Sequence, residues 1–121
     1  MSHVTLEVPR AIVDALPDDG ENAAKDMERA VAGWEQRIEQ LLENDEGSVI
    51  DVVERFEDRW ERYDQMIVEL RAWGQSPIYA MAWRDLHESL TEQLLSDEAL
   101  ANQIDRERHS RIVEHGIRHR D

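Results

Sequence analysis

From Met27 to Leu70 the large apolar side chains recur at alternating intervals of four and three residues. Met27, Val31, Trp34, Ile38 and Leu41 form one stripe; Val49, Val53, Phe56, Trp60, Tyr63, Ile67 and Leu70 form a second. That period belongs to a helix, because about 3.6 residues per turn puts all of these side chains on one face. A chain patterned this way folds by laying helix on helix, since each stripe needs an apolar partner. The break at Asn44-Asp45-Glu46-Gly47 is short, so the two helices are expected to run antiparallel as a hairpin. Ser48 reads as the N-cap of the second helix, with Asp51 completing a capping-box-like pair.

Helical signals continue to the end of the chain. Gly74-Gln75-Ser76-Pro77 closes the second stripe. Ile78 to Leu95 then sets Ala82, Leu86, Leu90 and Leu94 four apart, predicting a third long helix. Ser96 reads as an N-cap, with Asp97 and Glu98 as an acidic first turn. Leu100, Ile104, Ile112, Val113 and Ile117 line a last, less regular helix. Asp51–Arg55, Asp58–Arg62, Glu107–Arg111 and Glu114–Arg118 are spaced as helix-surface pairs. Upstream, Val4-Thr5-Leu6-Glu7-Val8 alternates apolar and polar, the period of a half-buried strand. Pro9 ends it, Arg10–Leu16 reads as a short helix and Pro17-Asp18-Asp19-Gly20 as a turn. The expected fold class is therefore mainly α: a short N-terminal β-strand, then a helical bundle with an antiparallel helical hairpin. A lone terminal strand has unpaired backbone groups that a second chain's strand would satisfy. Residues 1–20 are thus expected to form a dimerisation arm of a homodimer, and residues 21–121 the bundle.

Charge bounds the setting. The 121 residues carry 28 Asp and Glu against 14 Lys and Arg, a formal net charge of −14, and Lys25 is the sole lysine. Such a surface suits a cytoplasm holding molar KCl, where hydrated carboxylates keep a chain dispersed; the composition is similar to that of halophilic archaeal proteins. The chain has no cysteine, which excludes disulfides and thiolate sites and fits a reducing compartment. Met1 to Pro9 lacks the basic-then-apolar pattern of a signal peptide, and no apolar run approaches the ~20 residues of a membrane span. A cytoplasmic protein without membrane contact is expected.

A search for chemistry finds little. There is no Gly-x-Ser-x-Gly and no glycine-rich phosphate loop. None of the five histidines has Glu three residues before it, as a dinuclear iron bundle needs. His87-Glu88 begins like His-Glu-x-x-His, but residue 91 is Thr; His115 and His119 are four apart beside Gly116 and read as a solvated tail. Asp85, Glu88 and Glu92 share a helix face and read as hydrated surface. No enzyme activity, cofactor or metal is expected. The aromatics within the stripes read as core. Trp73, Tyr79 and Trp83 flank the Gly74–Pro77 break and are candidate anchors for a protein partner, since aromatics concentrate at interfaces. Arg106, Arg108 and Arg111, in the only segment that is not net acidic, are candidates for an acidic partner.

Residues 3–33 also carry a resemblance. Strand Val4–Val8, Pro9, short helix Arg10–Leu16, then Gly20-Glu21-Asn22 leading into Ala23, Ala24, Met27 and Val31, is similar to the ribbon-helix-helix module of small prokaryotic repressors and antitoxins. The resemblance implies a strand-paired dimer with His3, Thr5 and Glu7 facing outward, His3 and Thr5 touching DNA, and a helical region that binds a toxin or other partner. Two readings result: an interaction or regulatory protein of this DNA-binding type, and a helical adaptor or scaffold that binds no nucleic acid.

Overall fold

The computed structural model describes residues 4–44 and 48–118, which form five helices: α1 (Arg10–Asp14), α2 (Glu21–Asn44), α3 (Val49–Ala72), α4 (Ile78–Ser96) and α5 (Glu98–Arg118). The mainly α bundle is as the periodicity predicts. Met27, Val31 and Ile38 of α2 are buried, as are Val49, Val53, Phe56 and Ile67 of α3 and Ala82, Leu86, Leu90 and Leu94 of α4. Each of the larger side chains withdrawn from water contributes about 1.5–3 kcal/mol, and together they are the main force closing the bundle. Phe56 sits at its centre, with Trp34 of α2 edge-on at 4.9 Å and His87 of α4 at 6.0 Å between ring centroids.

The expected β-strand over Val4–Val8 does not form, and no strand occurs among the described residues. The alternation is real: Val4 and Leu6 are buried in the same core as the helices, while Thr5 and Glu7 are exposed. What differs is the partner. The Val4 N–H donates to Glu39 Oε1 of α2 (3.1 Å), the Glu7 N–H to Gln93 Oε1 of α4 (2.9 Å), and Gln93 Nε2 returns a bond to the Glu7 carbonyl (2.9 Å). An extended strap seated on helices shows the same period of two as a strand in a sheet. Three of its backbone polar groups are met by side chains of its own chain, which weakens the argument for pairing with a second strand.

The closest helix pairing also differs. α3 packs most extensively on α4, and α2 meets α3 over a much smaller surface. The contacts Trp83–Tyr63 and Arg84–Asp64 come before His87–Phe56 along α4 but after it along α3, so these two helices form the antiparallel hairpin. Ala80 and Ala82 are small and buried on α4, whereas Trp34 occupies the space between α2 and α3, with the Arg59 guanidinium over its ring at 5.3 Å. Two helix starts are corrected as well. Ser48 occupies the N-cap of α3 without a side-chain cap bond. At α5, Asp97 Oδ1 accepts from the Leu100 N–H (3.1 Å), while Ser96 ends α4 and its hydroxyl donates to the Glu92 carbonyl (2.7 Å). No helix among the described residues is long and apolar enough to cross a membrane.

Candidate partner-binding site

The α3–α4 corner is built by a Schellman turn. The Gly74 N–H donates to the Arg71 carbonyl (3.1 Å) and the Gln75 N–H to the Leu70 carbonyl (2.8 Å). Gly74 has φ +71°, the left-handed conformation this closure requires. The turn fixes Trp73 as the C-cap of α3 and leaves it 80% exposed. On the first turn of α4, Ile78 and Tyr79 remain 42% and 40% exposed. The Tyr79 hydroxyl donates to Asp19 Oδ1 (3.0 Å), tying α4 to the turn before α2. That hydrogen bond to a carboxylate raises the phenol's pKa, with desolvation and the Asp19 charge adding to it. Beside it, Ala11 and Ile12 of α1 and Ala15, which caps it, face Ile78, Met81 and Ala82 of α4 across an open, mainly apolar groove of about 270 Å³. This end of the bundle thus combines a rigid backbone with an indole in water and two further apolar side chains. Its chemistry is that of apolar contact.

The other sequence candidates are dispersed. Thr5 is exposed, in a groove it shares with Glu7, Glu92, Gln93 and Asp97. His3 lies outside the described residues, as do the Asp45–Gly47 break, His119 and the side chain of His115. Trp83 is half-buried against the core, stacked on Tyr63 at 6.3 Å between centroids, so it packs the α3–α4 seam. Arg106 donates to Gln103 Oε1 on its own helix (2.8 Å), and Arg108 is exposed without a partner among the described residues. Arg111 reaches α3 and clamps it, donating to Asp51 and to Glu54 Oε1 (2.6 Å). Asp51 is thereby drawn away from the expected Arg55 pairing, and Arg111 from Glu107. Ile112 and Val113, expected to line α5 against the bundle, are 70% and 44% exposed.

Two residues matter more than their sequence context foretells. Glu107 reaches across to α3: its Oε1 accepts from the Val49 N–H (3.0 Å) and its Oε2 from the Ile50 N–H (2.7 Å) and the Ser48 hydroxyl (3.0 Å). A carboxylate from α5 thus caps α3, where the orphan N–H groups and the positive helix end favour it. Gln103 Nε2 holds it in place (3.0 Å). Among the described residues His87 is the one buried polar side chain, within reach of Phe56, Tyr63 and Trp83, and its Nδ1 lies 2.7 Å from the Trp83 carbonyl. The only sequence signal for His87 is its place beside Leu86 and Leu90 in the apolar stripe. No group of three or more His, Cys, Asp or Glu among the described residues is placed to hold a metal ion.

A family described as a family of unknown function (DUF7971) matches residues 1–121, the whole chain. No curated protein and no solved structure matches it.

Proposed function

We propose that this chain, which belongs to that family of unknown function, is a non-enzymatic helical adaptor that binds a protein partner through the α3–α4 corner. The observation that carries the reading is Trp73: a large indole held in water by a hydrogen-bonded turn rather than by a loose loop. Leaving an indole in water forgoes its burial, and a prepositioned aromatic loses little conformational freedom when a partner covers it. Ile78 and Tyr79 extend the contact, and the Tyr79–Asp19 bond keeps the α1 side of the groove in register. The second support is negative charge around Thr5. Glu7, Glu92 and Asp97 line the groove beside Thr5, and their carboxylates would repel DNA phosphates, which favours the adaptor reading over the DNA-binding one.

The test compares affinity-tagged wild type with Trp73→Ala and Ile78→Glu in cells of the source organism. The expected result is one stoichiometric partner retained by wild type and lost from both variants, all three melting alike. Equal retention by the variants would overturn the corner as the docking site.

A further inference from the structure

A second surface lies further down the same hairpin. Counting from Trp73 to Trp60 along α3, it is roughly 20 Å away from the corner at about 1.5 Å per residue. There α3 and α4 enclose an open trough of about 320 Å³, with Phe56 beneath and Trp60 as its apolar floor, and with Glu57 and Glu61 on the α3 wall and Glu88 and Glu92 on the α4 wall. None of the four carboxylates has a hydrogen-bonding or ion-pair partner among the described residues. Arg84, which lies over the Trp60 ring at 5.8 Å, is already engaged, bound to Asp64 (2.9 Å) and Asp85 (3.3 Å). The trough is therefore an apolar seam between two rows of uncompensated negative charge. On each wall the carboxylates are four residues apart, about 6 Å along the axis.

We propose that this trough docks a basic amphipathic helix of a protein partner, its apolar side chains on Trp60 and its Arg or Lys side chains against the two glutamate rows. Charge complementarity selects the occupant. A helix carrying cations four residues apart on both sides of an apolar seam repeats at the same ~6 Å interval as the walls. The arrangement is that of a coiled-coil seam with charged flanks, where the flanking charges choose the partner and the seam holds it. A second copy of this chain is a poorer occupant, because the one segment of it that is not net acidic, residues 105–121, interleaves its five arginines with four carboxylates. The surface is independent of the Trp73 corner.

The test uses a fluorescently labelled, end-capped synthetic peptide with leucine along one helical face and arginine on both flanks. Its anisotropy is titrated with the full chain in low and in molar KCl. The expected result is saturable binding that weakens with salt but persists. Binding should weaken about tenfold or more for a scrambled peptide of the same composition and for a peptide with serine at the seam. The double variant Glu61→Gln/Glu88→Gln removes one charge from each wall and should lose about tenfold in affinity while melting normally. Trp73→Ala should bind as wild type. Equal binding of the scrambled or serine peptide would overturn the proposal, as would unchanged binding by the double variant. So would a loss confined to Trp73→Ala, which places the peptide at the corner. Binding of spermine with no binding of the helical peptide would overturn it in favour of a small polycation.

Discussion

Glu107 joins two helices that are distant in sequence through a single carboxylate. Partial burial works to raise its pKa, but the donors on Gln103, Ile50, Val49 and Ser48 outweigh burial and the net shift is downward from 4.5. A carboxylate whose folded pKa is depressed stabilises the fold above its unfolded value, and that contribution is lost as pH falls through the folded one. Glu107→Ala is expected to cost about 2 kcal/mol at neutral pH, the scale of charge-assisted bonds to otherwise orphaned N–H groups. Urea unfolding should show the gap between variant and wild type narrowing as pH falls below about 4.5, where the unfolded chain's carboxyl takes up a proton before the folded one does. His87 works at a higher pH. Burial among aromatic rings lowers its pKa below 6.5; the Trp83 carbonyl opposes the shift and the Arg59 charge adds to it. Well above pH 6.5 the ring is neutral in both states and contributes no pH dependence. Below that, the unfolded chain gains a proton that the folded ring refuses, so stability should decline as pH falls toward the folded value. In His87→Leu, which keeps the site apolar, that part of the profile should flatten; an unchanged slope would place the titration elsewhere.

At the scale of elements, the strap Val4–Val8 is the clearest case of a pattern with two structural solutions. Its buried residues make it part of the core, so Leu6→Ala should cost about 2–4 kcal/mol, as for other large-to-small core changes. Thr5→Asp, on the exposed side, should change thermal unfolding by no more than about 0.5 kcal/mol. Chemical denaturation of both variants checks the assignment of faces. The sequence alternation specified which faces of Val4–Val8 go inward, but not whether a strand or a pair of helices would receive them. The same division holds for α2 and α3. The four-three stripes set their buried faces and nearly their ends, while the choice of α4 as the close neighbour of α3 depended on side-chain volumes at Trp34 and Ala82 that periodicity does not encode. Caps show both cases: at α5 Asp97 takes the role expected of Ser96 through a local bond to the N–H three residues on, whereas at α3 Glu107 takes the N–H groups because tertiary placement brings a carboxylate to Ser48. Of the candidate site, Trp73 and Tyr79 were legible because they flank a turn signal. Trp83 lies four residues before His87 on a face that Tyr63 covers from across the hairpin, and the acidic trough exists only once the registers of α3 and α4 are set against each other.

Over the whole molecule, unbalanced charge sets the long-range energetics. With a net charge of −14, the chain has twice as many acidic as basic residues. Arg84 and Arg111 are each shared between two carboxylates, leaving the trough glutamates uncompensated. Folding brings these charges together, so repulsion opposes the compact state when screening is weak. The screening length falls from about 10 Å in 0.1 M salt to about 3 Å in 1 M, shorter than most carboxylate separations on such a surface. The melting temperature should therefore climb steadily as KCl is raised from about 0.1 M to about 1 M. A gain near 5 °C is expected, since ~1 kcal/mol moves the midpoint of a domain this size by several degrees. Screening and general salting-out predict the same rise in wild type, but they separate in the fourfold variant Glu57→Gln/Glu61→Gln/Glu88→Gln/Glu92→Gln. Losing four trough charges should raise its melting temperature in low salt and shrink its gain from KCl. A variant whose salt response parallels wild type would show that the charge on this face does not limit stability, and would attribute the rise to salt acting on apolar surface.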